Sequence, residues 1–157
     1  MPPLTPFGRI TLNILVLNGP NMNMLGIREP EIYGKQTYQD LVDLLRIHAA
    51  ERGVDVSFIQ SNHEGTLVDA IQDAYPDTDG IVFNPAAYTH TSVAILDALK
   101  AVGIPTVEVH MSDLPSRDDF RQVSYVRQAC VATVMGKGFQ SYVEAMDLLI
   151  DRFGRKE

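Results

Sequence analysis

The chain has 157 residues and a formal net charge of −7 at pH 7. This length is sufficient for one domain with a sizeable core that needs no disulfide or metal to fold. The acidic charge disfavours nucleic acid and anionic membrane surfaces as partners, because both would be repelled. Cys130 is the single cysteine, which excludes a disulfide framework or a cysteine-based metal site within one chain.

The opening segment and the apolar runs bear on localisation. No apolar run is long enough to span a membrane, and the first residues lack the charged and apolar regions of a signal peptide. We therefore expect a cytoplasmic protein with no membrane partner. No repeat or linker divides the chain, so residues 1–157 are predicted to form a single domain, with 1–11 as a loose N-terminal leader.

Apolar runs typical of buried strands alternate with helical patterns along the chain. In chain order the predicted elements are strand 12–17, helix 37–52, strand 54–59, helix 64–75, strand 80–83, helix 89–102, strand 106–109, strand 131–135 and helix 139–153. The first helix has the clearest boundaries, because Thr37 and Asp40 are spaced as an N-capping pair and Gly53 is placed to end it. Its predicted apolar stripe is Leu41, Leu44, Leu45 and Ala49.

Five strands alternating with helices predict an α/β fold whose parallel sheet is covered by helices on both faces. The natural doubly wound strand order for so short a chain is 2-1-3-4-5, with its switch point between strands 1 and 3. The loops after Leu17 and Phe83 should then lie side by side. The segment that begins at Glu108 should close the same crevice, where such sheets bind their ligands.

Tyr33 and Arg28 lie five positions apart in the polar loop 20–34 that follows the first strand. A phenol has a pKa near 10, so a reactive tyrosinate needs a neighbouring cation. One guanidinium about 4 Å away contributes roughly 4 kcal/mol at an effective dielectric of about 20, enough to lower the pKa by some two to three units. Tyr33 is thus a candidate base. The alternative is that Tyr33 packs under a turn and Arg28 is a solvated loop charge.

Asn21 follows Gly19-Pro20 at the exit of the first strand, where its amide can fix a water or a developing oxyanion. These residues also form ordinary turns, so the signal is weak by itself. The loop has neither a Gly-x-Gly-x-x-Gly nor a Walker pattern, and we therefore expect no nucleotide cofactor.

The segment Asn84-Pro-Ala-Ala-Tyr-Thr-His-Thr-Ser92 runs into a helix whose N-terminus favours an anion or a polar oxygen. Asn84 and His90 are candidates for hydrogen bonds to substrate hydroxyls. In the alternative interpretation, Thr89, Thr91 or Ser92 caps the helix and His90 lies on the surface.

Glu108 and His110 share one face of a predicted strand, where a carboxylate can orient an imidazole and keep it protonated for use as an acid. A partly exposed ion pair at a strand end is the alternative. Ser112 follows as a hydroxyl donor. Arg117 and Arg121, four residues apart, can clamp an anion or a diol from one helical turn, or pair with Asp118 and Asp119.

A metal site is not expected, because the four histidines show no close ligand spacing. No serine or cysteine lies in a nucleophile elbow, and neither a phosphate loop nor an acidic metal cluster is present. A hydrolase or phosphate-transfer enzyme is therefore disfavoured.

Taken together, the polar segments resemble those of the type II 3-dehydroquinate dehydratases. The motifs that carry the resemblance are Leu17-Asn-Gly-Pro-Asn21, Arg28-Glu-Pro with Tyr33-Gly34, Gln60-Ser-Asn-His-Glu-Gly65, the segment 84–92, and Glu108-Val-His-Met-Ser112 with Arg117 and Arg121. The resemblance implies a flavodoxin-like fold and the cofactor-free, reversible dehydration of 3-dehydroquinate to 3-dehydroshikimate. It also implies a homo-oligomer, a dodecamer built from trimers, and loop 20–34 as an active-site lid.

The same resemblance implies roles for individual residues. Tyr33 would be the base, Arg28 would keep it ionised, and Asn21 would position the water that stabilises the enolate. His110, oriented by Glu108, would be the acid. The implied substrate-binding residues are Asn84, His90, Asp97 from a neighbouring subunit, Met111, Ser112, Arg121 and the lid-associated Arg117.

The main rival is a non-catalytic flavodoxin-like module that holds a small anion in the same crevice. It predicts affinity without turnover. The sequence also leaves open whether the dehydration serves aromatic biosynthesis or quinate degradation, because both routes share this step.

Overall fold

The computed structural model describes residues 11–27, 31, 35–113 and 118–154. Within them, five parallel strands form one sheet in the order β2-β1-β3-β4-β5. The strands are β1 Asn13–Asn18, β2 Asp55–Gln60, β3 Gly80–Asn84, β4 Thr106–His110 and β5 Ala132–Met135. The predicted flavodoxin-like α/β fold and its strand order are confirmed.

In the described part of the chain, four α-helices cover the sheet: α1 Tyr38–Arg52, α2 Glu64–Ala74, α3 Val93–Val102 and α4 Gln140–Phe153. One apolar cluster joins α1 and α4 to one face of the sheet, and a second joins α2 and α3 to the other. The central strands β3 and β4 are buried along their whole length. This burial explains why they appear in the sequence as continuous apolar runs.

The predicted boundaries of α1 are confirmed. The Thr37 hydroxyl accepts from the Asp40 N–H at 3.1 Å, the Asp40 carboxylate accepts from the Thr37 N–H at 2.9 Å, and Gly53 ends the helix at φ 67°. The predicted stripe was wrong at Leu44, which is 38% exposed. The buried residues of α1 are instead Leu41, Val42, Leu45 and Ala49. The row 41, 45 and 49 faces the sheet, and Leu44 lies to one side of that row.

The predicted start of the third helix was also wrong. α3 begins at Val93, because the Ser92 hydroxyl accepts from the Ile95 N–H at 3.0 Å and acts as the N-cap. The preceding segment Ala86–His90 is a short 3₁₀ turn. This turn holds Thr89 and His90 against the carboxyl end of the sheet, where both take part in the contacts described below.

None of the helices in the described part of the chain is long and apolar enough to cross a membrane.

Candidate active site

The loops that follow β1 and β3 are in direct contact. The N–H of Gly19 donates to the carbonyl of Asn84 at 2.8 Å, and any side chain at position 19 would collide with the backbone of Pro85. The carbonyl of Gly19 accepts from the Gln60 side chain at 3.1 Å. The predicted convergence of these two loops at the switch point is therefore confirmed, and it depends on glycine at position 19.

Asn21 stands at the start of the loop after β1 in a left-handed conformation, with φ 70°. Its N–H donates to the side-chain oxygen of Asn62 at 3.0 Å, and the backbone carbonyl of Asn62 accepts from the Tyr88 hydroxyl at 2.9 Å. The backbone of Asn21 is thus fixed, while the residue itself is exposed. Asn tolerates this conformation better than most residues.

Asn84 belongs to a buried group with Asn18 and Tyr142, which we call the amide cluster. The Asn84 nitrogen donates to the Tyr142 hydroxyl at 2.9 Å, and the hydroxyl donates to the Asn18 oxygen at 2.6 Å. The Asn84 oxygen accepts from the Ala86 N–H at 3.0 Å. Burial raises the pKa of Tyr142 far above its usual value, so the cluster is neutral. At 4% exposure, the Asn84 amide makes its hydrogen bonds within the chain.

Glu108 and His110 lie on the same face of β4, as their spacing predicted. The His110 Nε2 lies 2.5 Å from the Glu108 Oε2, and the side chains are 5% and 0% exposed. Burial by itself would raise the pKa of Glu108, but hydrogen bonds from His110 and Thr89 and the charges of His110 and Arg127 lower it to about 2. The pair is therefore buried and charged at its carboxylate, unlike an exposed ion pair at a strand end.

Three further side chains surround the carboxylate. The hydroxyls of Thr89 and Ser124 donate to Oε2 at 2.7 and 2.9 Å, and the Nε of Arg127 donates to Oε1 at 3.1 Å. We call Glu108, His110 and these three residues the carboxylate cluster. Sequence reasoning had considered Thr89 only as a helix cap and had missed Ser124 and Arg127. A buried carboxylate requires partners, but nothing in the spacing identifies them.

The carboxylate also determines which nitrogen of His110 carries a proton towards it. An ionised carboxylate only accepts hydrogen bonds, so the Nε2 of His110 is the donor in this contact. The Nδ1 is then an acceptor in the neutral ring and a donor in the protonated ring. This is the arrangement that an acid catalyst needs.

His90 is oriented by Val123, the residue that precedes Ser124 of the carboxylate cluster. Its Nδ1 lies 2.6 Å from the carbonyl of Val123, which can only accept, so Nδ1 is protonated. Burial, together with the charges of His110 and Arg121, lowers the pKa of His90 despite the hydrogen bond to Val123. A neutral ring therefore presents its Nε2 as an acceptor for a hydroxyl group.

The remaining predicted site residues in the described part of the chain lie on three segments. The Nε of Arg121 lies 3.5 Å from a carboxylate oxygen of Asp118, and this ion pair was one of the alternatives considered from the sequence. Met111 is buried beyond the end of β4, Ser112 is half-buried, and Asp97 is exposed on α3. The structure brings His90, Arg121 and the Glu108–His110 pair close enough to interact electrostatically.

Three predicted site residues, Arg28, Tyr33 and Arg117, lie outside the described residues, as do the leader residues 1–10 and parts of loop 20–34. Among the described residues, no group of three or more His, Cys, Asp or Glu side chains is arranged to hold a metal ion.

The family model for dehydroquinase class II matches residues 12–150 of the chain. The chain belongs to this family. The expected resemblance is thereby confirmed, and the match to a class II dehydroquinase covers every element of the sheet.

Individual relatives agree with this assignment. The chain is 52% identical over 136 residues to a 3-dehydroquinate dehydratase of Corynebacterium glutamicum, covering 87% of this chain and 94% of that protein. It is 48% identical over 138 residues to one of Clostridium acetobutylicum, with coverage of 88% and 96%. The crystal structure of a type II dehydroquinase from Butyrivibrio crossotus matches with a TM-score of 0.87 and 46% identity, over 88% of this chain and 97% of that one. The prediction of an enzyme of the dehydroquinase family is confirmed.

Proposed function

We propose that this chain dehydrates 3-dehydroquinate to 3-dehydroshikimate through an enolate, with Tyr33 as the base, His110 as the acid and no cofactor. The observation that carries the proposal is the buried Glu108–His110 pair at the carboxyl end of β4, in a chain of the dehydroquinase class II family. The pair places an imidazole at the end of β4, which neighbours β3, one of the two strands at the switch point.

The reaction divides between the two sides of the crevice. On one side, Tyr33 removes the C2 proton, and Arg28 keeps the phenolate ionised. The negative charge moves onto the oxygen of the ring ketone, where a water held by Asn21 stabilises the enolate. On the other side, His110 gives its proton to the leaving hydroxyl, which departs as water.

Further residues bind the rest of the substrate in this proposal. The ring hydroxyls contact His90, Arg121 and Asn84, and the carboxylate is held by Met111 and Ser112. The acceptor nitrogen of His90 is suited to a hydroxyl donor. The Asn84 side chain bonds to Tyr142 and Ala86, so its contact to a substrate hydroxyl requires one of these hydrogen bonds to exchange.

Assembly and closure belong to the same proposal. Asp97 is exposed on α3, where it is accessible to a neighbouring subunit of a dodecamer built from trimers. Loop 20–34 closes over the substrate as a lid, bringing Arg28 and Tyr33 into place, and Arg117 is associated with that lid. We also propose that the single domain of residues 1–157 works in the cytoplasm.

An ultraviolet assay of chelator-treated protein with 3-dehydroquinate tests the proposal, because the product contains a conjugated enone that the substrate lacks. Wild-type protein should turn over, and Tyr33→Phe should lose about 10²–10⁴-fold in kcat while still binding ligand. Tyr75→Phe is the matched control, because Tyr75 is 63% exposed and lies between the end of α2 and the start of β3, at the edge of the sheet opposite the crevice. Binding without wild-type turnover would favour the non-catalytic module, and near-normal turnover of Tyr33→Phe would refute its role as base.

A further inference from the structure

Arg127 makes a contact that the proposed reaction does not use. Its side chain is 42% exposed, yet its Nε lies 3.1 Å from the Oε1 of Glu108, a carboxylate with no solvent exposure. Among the described residues, it is the only Lys or Arg within ion-pair distance of Glu108. A half-exposed guanidinium thus reaches inward to the carboxylate that holds the candidate acid.

The two oxygens of Glu108 have different partners. Oε2 accepts from His110, Thr89 and Ser124, whereas Oε1 accepts from Arg127. With Oε1 held in this way, rotation of the carboxylate away from His110 would break the contact to Arg127. Ser124 links the two sides, because its hydroxyl also accepts from the N–H of Arg127 at 3.1 Å.

We propose that Arg127 is a positioning residue that orients Glu108 towards His110 and weakens the hold of that carboxylate on the proton of His110. The inference rests on the proposed role of His110 as the acid. It assigns to Arg127 two effects, one on geometry and one on charge, and the two can be separated by substitution.

The effect on charge follows from the sign of each group. Glu108 stabilises the protonated imidazole of His110, and the cation of Arg127 opposes this by sharing the carboxylate. An acid that must release its proton to a leaving hydroxyl is served by such a balance. Without Arg127, the carboxylate would hold the proton of His110 more tightly.

The other groups that face this pair do not replace Arg127. His90 is held neutral by its lowered pKa, and Arg121 is paired with Asp118. Cys130 also faces Glu108, but burial and the Glu108 charge raise the pKa of its thiol to about 12, so it is neutral. Thr89 and Ser124 contribute uncharged hydroxyls.

The test compares Arg127→Gln, which removes the charge, with Arg127→Lys, which keeps it. Arg46→Gln is the control for net charge, because Arg46 lies on α1 over the ring of Phe58. The titration of His110 is followed by nuclear magnetic resonance of protein with labelled histidines. The His110 signal is identified by its absence from His110→Asn, and kcat and KM are measured against pH in parallel.

In Arg127→Gln we expect the titration midpoint of His110 to lie above that of the wild type, because the cation that shares the Glu108 carboxylate is gone. The alkaline limb of the kcat profile should move in the same direction, with KM little changed. Arg127→Lys should return the midpoint to the wild-type value while kcat stays below wild type, because an ammonium orients the carboxylate less well. Arg46→Gln should match the wild type.

The proposal would be overturned if the titration midpoint of His110 were unchanged in Arg127→Gln, or if it shifted equally in Arg127→Lys. Arg127 would then contribute only to packing. The resonance measurement needs no turnover. A protein without dehydratase activity would therefore refute the proposed function through the assay, and the titration would still decide whether Arg127 acts on His110.

Discussion

The amide cluster and the carboxylate cluster lie at the ends of neighbouring strands, and both are polar groups in a buried setting. The amide cluster is neutral, and the Asn84 amide bonds inward to Tyr142 and Ala86. The carboxylate cluster is charged at Glu108, and it extends to the surface through the half-exposed Arg127. A polar residue after a strand therefore indicates where the crevice lies. Its hydrogen-bond partners determine whether it has a structural or a chemical role.

The largest expected difference between the clusters is in turnover. His110→Asn removes the imidazole that we propose as the acid. We expect kcat to fall by about 10²–10⁴-fold. Steady-state kinetics with the ultraviolet assay measures the fall. A variant with wild-type kcat would show that His110 is not the acid.

The pH dependence of stability should also distinguish the clusters. The pKa of Glu108 is about 2 in the folded chain, below its ordinary value of 4.5. Its contribution to stability is therefore present above about pH 4.5 and is lost as the pH falls towards about 2.

The stability advantage of wild type over Glu108→Gln should consequently shrink, by on the order of 3 kcal/mol in full, as the pH is lowered from about 5.5. Urea unfolding at a series of pH values measures this. Glu144→Gln is the control, since its exposed pair with Lys137 should contribute little. A difference independent of pH would show that Glu108 is not held in its ionised form.

Tyr142→Phe should have the smallest effect, and it should act on folding. The change removes the hydroxyl that donates to Asn18 and accepts from Asn84, leaving two buried groups short of a partner. The cost should be about 1–3 kcal/mol in the free energy of unfolding. Tyr75→Phe should cost almost nothing. If Tyr142→Phe were as stable as wild type but lost its turnover, the amide cluster would be part of the catalytic machinery.

Strand order and the meeting of two loops could be predicted because they follow from apolar periodicity and the rules of parallel sheets. The predicted start of α3 was wrong because Thr89, Thr91 and Ser92 are equally good N-cap candidates in the sequence. Only the fold shows that the Thr89 hydroxyl donates to Glu108. Leu44 was misassigned because the rotation of α1 on the sheet is a tertiary property. Arg127 was missed because its partner lies 19 residues earlier, a separation that no local pattern encodes.

The proposed mechanism is tested most directly by deuterium exchange at C2 of 3-dehydroquinate in D₂O, measured with His110→Asn. If Tyr33 removes the C2 proton and His110 completes the elimination, this variant should exchange C2 while forming almost no 3-dehydroshikimate, and Tyr33→Phe should do neither. Formation of 3-dehydroshikimate at the wild-type rate by His110→Asn, or C2 exchange by Tyr33→Phe, would contradict the division of the reaction between the two sides of the crevice.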